Sequence, residues 1–186
     1  MGPLEDCYRP DLVPPDDEIR REQTEHARRL AGAGVDVLLL ETFGTVREVR
    51  LAAEAASSTG KEFVASFLVN VRGTLYSGEE IQEAVDAVLP FSPTTISINC
   101  VSPRFIHAAL VNLRAACKLH GLPTGAYANV GLPEQEHAAA FVHDVSPEEY
   151  LAFAREWRSQ GVRIIGGCCG TSPEYIELLA RHLAGL

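Results

Sequence analysis

Apolar positions along the 186-residue chain fall into two rhythms that alternate from Val35 onward. Short, nearly continuous apolar runs, the first being Val35-Asp36-Val37-Leu38-Leu39-Leu40, have the pattern of strands buried on both faces. Between them apolar residues recur at helical spacing, as in Ile81, Val85, Val88 and Leu89, or Tyr150, Leu151, Ala154 and Trp157, and these read as core-facing helix stripes. The pattern predicts strands over 35–41, 63–69, 95–99, 124–128 and 163–167, and helices over 45–58, 78–89, 103–120, 147–160 and 173–184. One more helix is predicted from Asp16 to Ala31, with an acidic start and Gly32 and Gly34 at its finish. Ahead of it, Pro3, Pro10, Pro14 and Pro15 mark irregular coil.

A strand–helix unit of roughly 30 residues is the size of a parallel βα repeat, so the chain belongs to the α/β class with a parallel sheet. A closed (β/α)8 TIM barrel takes ~250 residues and eight strands; this chain supplies five, and its first helix has no strand before it. The expectation is a single domain over residues 1–186, made of the last five βα units of such a barrel and therefore an incomplete one. A complete five-stranded doubly wound sheet suits the length as well, but no turn carries a G-x-G-x-x-G or P-loop pattern. In a barrel the carboxyl ends of the strands share one rim, where active sites are built. Here those ends carry Glu41, Asn70, Asn99 with Cys100, Asn129, and Cys168 with Cys169.

Composition narrows the chemistry. No apolar stretch approaches the ~18 residues of a membrane span, and Met1-Gly2-Pro3-Leu4-Glu5-Asp6 lacks the basic start and apolar body of a signal peptide, so a cytoplasmic location is expected. A net charge of −9 makes nucleic acid and anionic membrane poor partners. The five cysteines, an odd number with two adjacent, do not suit a disulfide framework and point to a metal or a reactive thiol in a reducing compartment.

Cys168 and Cys169 follow an apolar run in Ile164-Ile165-Gly166-Gly167-Cys168-Cys169-Gly170-Thr171. Neighbouring side chains of a regular strand point to opposite faces, so both thiols reach one ion only where the strand has ended and glycine lets the backbone turn. With Cys100 on the same rim, three thiolates at ~2.3 Å would surround Zn²⁺ and leave one tetrahedral position open. Such a centre is too electron-rich to activate water well, but it can hold an incoming thiol as a thiolate, whereas a free thiol of pKa ~8.5 is mostly protonated at neutral pH. Two small buried hydrophobes or a redox pair are the competing accounts of Cys168 and Cys169. Cys7, in coil, and Cys117, inside a helix, read as incidental. A histidine as fourth ligand is a further alternative, although His107, His120, His143 and His182 fall on predicted helices or loops and His137 in the long loop after Asn129. Glu41 would sit beside the metal, as partner of a substrate ammonium, as a general base, or as a solvated turn residue. Asn99 and Asn129 could bind substrate or hold the loops.

These residues resemble the homocysteine S-methyltransferase family, which includes betaine–homocysteine methyltransferases and the homocysteine-binding module of methionine synthases. The resemblance rests on Glu41-Thr42-Phe43 after the first strand, on Asn99-Cys100, and on Gly166-Gly167-Cys168-Cys169-Gly170-Thr171. It extends to Gly2-Pro3-Leu4-Glu5-Asp6-Cys7-Tyr8, Ser77-Gly78 and Tyr127-Ala128-Asn129. It implies zinc held by Cys100, Cys168 and Cys169, with Glu41 on the amino group of homocysteine. The implied reaction is methyl transfer to the homocysteine sulfur from a sulfonium donor, S-methylmethionine or S-adenosylmethionine, to give methionine. Family members also have a first strand ending in an Asp-Gly loop and two strands after it, which these residues do not supply. The outer strands 35–41 and 163–167 are accordingly expected to have open edges that invite self-association or a partner chain. Two alternatives to the enzyme remain at this point: a non-catalytic zinc-binding barrel fragment completed by a partner, and a dithiol redox protein.

Overall fold

A computed structural model describes residues 1–133 and 141–183. A short 3-10 turn, Pro10–Leu12, precedes α1 (Asp16–Gly32), β1 (Val37–Phe43), α2 (Val46–Ser57), β2 (Glu62–Phe67) and α3 (Ile81–Val88). There follow β3 (Thr95–Asn99), α4 (Ile106–Lys118), β4 (Thr124–Ala128), a two-stranded hairpin β5 (Gly131–Pro133) and β6 (Phe141–His143), α5 (Pro147–Ser159), β7 (Ile164–Gly167) and α6 (Pro173–Leu183). The five long strands form one parallel sheet in the order β1-β2-β3-β4-β7. Sequential parallel neighbours joined by helices are the βα arrangement of a barrel wall, as the periodicity predicts. Among the described residues no helix is long and apolar enough to cross a membrane.

Several boundaries shift for local reasons. The first strand begins at Val37, two residues late, after Gly34 closes α1 at φ 90°, and it runs on to Phe43 through a break in its register with β2 after Leu40. The predicted helix at 78–89 starts only at Ile81, because Glu80 and Glu83 exchange a capping box at that point. The helix at 103–120 starts at Ile106, since Phe105 N–H turns back to the Ser102 carbonyl. The β5–β6 hairpin lies where only a loop is predicted; His137 falls outside the described residues.

The sheet has two faces of different character. Leu38, Leu40, Phe63, Ala65, Phe67, Ile96, Ile98 and Ala126 are buried in the core shared with the helices. The registers place the opposite set in rows: Leu39, Val64 and Thr95 in one; Ser66, Ser97, Gly125 and Ile164 in the next; Asn99, Tyr127 and Gly166 nearest the carboxyl ends. In the central strands this inner face is covered, with Ser97, Asn99 and Tyr127 all buried. At the two outer strands it is open: Val37 is 45% exposed, Leu39 38% and Ile164 45%. The continuous apolar run of β1 therefore alternates in fact, because only its helix-facing side is covered.

Close packing pins the β4–β7 side. Gly125 has no room for a side chain, since a Cβ there would run into Ser97. The Tyr150 hydroxyl accepts the Ala128 N–H at 2.9 Å and donates to the Gly166 carbonyl at 2.8 Å, bridging the ends of β4 and β7 from α5. The Tyr150 ring meets Trp157 and Tyr175 edge to face, with centroids 5.7 and 5.8 Å apart, a favoured aromatic geometry. This cluster holds α5 and α6 beneath the strand that delivers two of the cysteines.

Candidate metal centre

The three strand-end cysteines come together. Cys100 follows β3 with φ at 57°, a left-handed conformation costly for a non-glycine residue. Cys168 and Cys169 occupy the turn after β7, where Cys168 N–H bonds the Ala128 carbonyl at 2.9 Å and Thr171 closes the turn on the Cys168 carbonyl through its N–H and hydroxyl. A side chain at Gly167 would reach within 2.8 Å of the Thr171 Cβ, so glycine is required for this closure. The Sγ atoms of Cys100 and Cys169 are 3.5 Å apart, those of Cys168 and Cys169 4.0 Å, and all three lie within 4.8 Å of one another.

That spacing fits zinc. Bonds of ~2.3 Å in a tetrahedron put sulfur atoms about 3.8 Å apart, between the two distances seen. Hydrogen bonding and burial within the cluster set the three thiols apart in acidity. The Cys100 thiol beside Cys168 holds Cys168 down to about 6, whereas the same contact and burial push Cys100 far up. Burial raises Cys169 as well. A cation would relieve this crowding by favouring the thiolate form of all three.

The neighbours orient the thiols. Asn99 is fully buried: its Oδ1 accepts the Thr42 N–H at 2.9 Å and the Ser66 hydroxyl at 2.8 Å, and its Nδ2 donates to Thr42 Oγ1 at 2.8 Å and lies 3.8 Å from Cys168 Sγ. Asn129 donates to the Cys100 carbonyl at 3.3 Å. The two asparagines thus face the protein backbone and the thiols. Asn70, also a strand-end residue, holds its own loop by bonding Thr74 Oγ1 and the Leu75 carbonyl, both at 2.8 Å. Thr42 stands at φ 71° within the register break of β1. Bulges of this kind re-aim side chains next to active sites, and here the bulge carries half-buried Glu41.

Glu41 shares a cavity of about 480 Å³ with Cys100 and Cys169, and the cavity has an unexpected wall. The N-terminal segment lies across it, contributing Gly2, Pro3, Cys7 and Tyr8 beside Glu41, Thr42, Cys100 and Cys169. The segment is anchored at several points: Gln23 donates to the Gly2 carbonyl at 2.8 Å, Glu48 accepts the Leu4 N–H at 3.0 Å, and Met1 bonds β1 at both Leu39 and Glu41. Tyr8 Oη stands 3.6 Å from Cys100 Sγ. Tyr8 and Cys7 are therefore site residues that pattern reasoning missed; Cys7, read as incidental coil, lines the cavity with its pKa pushed up to about 11, mainly by burial. Only the family resemblance over residues 2–8 signalled the segment. Cys117 lies within α4, as the pattern predicts, and is buried there, and His107, His120 and His182 are exposed.

A model of the family described as homocysteine S-methyltransferase matches residues 1–183, and the chain belongs to that family. Homocysteine S-methyltransferase 4 of Zea mays is 31% identical over 166 residues, covering 84% of this chain and 47% of its own length. A selenocysteine Se-methyltransferase of Brassica oleracea var. italica is 27% identical over 166 residues, covering 85% of this chain and 47% of its own. The metallated form of the homocysteine methyltransferase MmuM from Escherichia coli superposes with a TM-score of 0.72 at 25% identity, covering 96% of this chain and 56% of that one. The chain spans about half the length of the curated relatives it matches.

Proposed function

We propose that the chain carries the metal and thiol-activating half of a zinc-dependent homocysteine methyltransferase, which moves a methyl group from a sulfonium donor to homocysteine and yields methionine. The observation that carries this reading is the cluster of three thiols on the carboxyl rim, two of which, Cys100 and Cys169, line one cavity with Glu41. Relatives named for homocysteine and selenocysteine methylation support a thiol or selenol as the methyl acceptor.

Cys100, Cys168 and Cys169 would hold the zinc. When bound, zinc supplies a site at which a substrate sulfur stays ionised at neutral pH. Glu41 receives the substrate ammonium, a charge-assisted contact made strong by partial burial. Asn99 keeps Glu41 and Cys168 in mutual register, since it bonds the peptide after Glu41 while touching the Cys168 sulfur. Asn129 holds the Cys100 carbonyl, and so the strained turn that presents its thiol. Small-molecule substrates in the cytoplasm, without nucleic acid or membrane, complete the reading.

The test measures methionine formed from homocysteine and S-methylmethionine, with zinc quantified in the same sample. About one zinc per chain with turnover is expected; a chain that takes up no zinc would sink the reading. A second reading, a zinc-binding unit completed by a partner chain or a second copy, is favoured by the open inner face at Val37, Leu39 and Ile164. It expects zinc without turnover, and turnover once strands of a full-length relative are added in trans.

A further inference from the structure

We propose that the cavity at the amino ends of β4 and β7, at the opposite end of the sheet from the thiols, binds a small phosphate monoester through Arg114, Lys118 and Arg163. Arg114 and Lys118 stand one helical turn apart near the end of α4, and Arg163 immediately precedes β7. The site uses no residue of the carboxyl rim and is independent of the metal reading.

Charge balance singles out this place. The chain carries 25 acidic residues against 16 lysines and arginines, and cations elsewhere are matched, as Arg47 is by Asp16, Arg104 by Asp144 and Arg181 by Glu177. Among the described residues the side chains of Arg114, Lys118 and Arg163 have neither an ion pair nor a hydrogen bond, and no carboxylate lines the cavity. Like charges four positions apart destabilise a helix, so Arg114 and Lys118 lie where an anion between them would relieve the helix. Helix ends do not account for the three cations. Both α4 and α5 end beside the cavity, and each terminus carries about half a negative charge, too little to balance them. The terminal carbonyls already have donors: that of Cys117 accepts the Leu122 N–H at 3.2 Å and that of Trp157 the Val162 N–H at 3.0 Å. Positive charge is left over, facing a hollow.

The form of the hollow selects among anions. It holds about 490 Å³, within the ~300–1,000 Å³ of small-molecule sites, so it has room for a carbon skeleton beside the phosphate. Half-buried Arg114 crosses Gly161, where a Cβ would lie 3.4 Å from the guanidinium. Its planar fork suits two phosphate oxygens at once. Leu122 and Pro123 supply an apolar wall for the skeleton, and no aromatic ring lines the cavity, so a nucleobase gains no stacking. The net charge of −9 disfavours nucleic acid and anionic membrane, which leaves a small molecule. Bound there, the phosphate ties α4 to the seam of β4 and β7, where the Arg163 N–H donates to the Thr124 carbonyl at 2.8 Å. That seam carries the outer strand that delivers Cys168 and Cys169.

The experiment titrates the full chain separately with ribose 5-phosphate, inorganic phosphate and potassium chloride at matched ionic strength, following affinity by calorimetry and the phosphorus resonance by NMR. Saturable binding of the ester is expected, at least about tenfold tighter than inorganic phosphate and absent with chloride, together with slower hydrogen exchange of the Arg163 N–H. Lys118→Gln and Arg163→Gln should each weaken it about tenfold, the loss of one charge-assisted contact. Both positions are exposed, so the variants should fold with the parent's urea midpoint and zinc content. Arg72→Gln, which removes another exposed cation without a partner among the described residues, should leave the affinity unaltered. An ester that does not bind, or that binds no more tightly than inorganic phosphate, would overturn the proposal. So would Lys118→Gln and Arg163→Gln variants that bind as the Arg72→Gln variant does.

Discussion

Asn99→Ala tests whether the site is held by its asparagine or merely lined by it. The side chain is wholly buried and serves two donors, the Thr42 N–H at 2.9 Å and the Ser66 hydroxyl at 2.8 Å. A buried donor left unpaired costs about 1–3 kcal/mol. The Thr42 amide is fixed by the backbone and takes the middle of that range, about 2 kcal/mol, whereas the Ser66 hydroxyl can rotate and takes about 1. Asn99→Ala should therefore destabilise the fold by about 3 kcal/mol. At a urea dependence of about 2 kcal/mol per molar, the unfolding midpoint falls by about 1.5 M with an unchanged slope. In a Ser66→Ala background the same change should cost about 1 kcal/mol less, because one orphan is already gone. A midpoint that moves by under about 0.5 M, or equal costs in the two backgrounds, would refute the network.

Cys100→Ser should lower zinc affinity by more than about a hundredfold, beyond what loss of an outer-shell contact does, read by competition with a chromophoric chelator; unaltered affinity removes Cys100 from the ligand set. Stripping zinc at a concentration about a hundred times its dissociation constant should cost about 2.7 kcal/mol, a fall of about 8 °C in melting temperature that readdition of zinc reverses. Tyr150→Phe leaves the Ala128 N–H without its acceptor and should cost about 2 kcal/mol, with faster hydrogen exchange at that amide. Gly125→Val places a branched side chain against Ser97 and should cost about 3 kcal/mol or prevent folding, seen in the denaturant midpoint.

The alternating apolar runs and helical stripes are local signals, and they were enough for the α/β class, five parallel strands and the placement of Cys100, Cys168 and Cys169 at strand ends. Parallel topology then brings those ends to one rim whatever the details, which is why a candidate metal centre could be read from residues as far apart as 100 and 168. Element boundaries were less legible, since caps such as Glu80 with Glu83 and the turn at Ser102 compete with periodicity over a few residues.

Other features depended on contacts between distant parts of the chain. Tyr8 meets Cys100 across 92 positions and Asn99 meets Thr42 across 57; no periodicity carries such a pairing, because it follows from how the N-terminal segment and the β1 bulge settle on the finished sheet. Glu41 was placed at a strand end, yet its aim comes from a left-handed Thr42 that Asn99 hydrogen bonds hold in position. The cysteine cluster and its rim were thus written in residue type and local pattern. The wall over the thiols and the open inner face at β1 and β7 were set by packing, which decides what each local element meets.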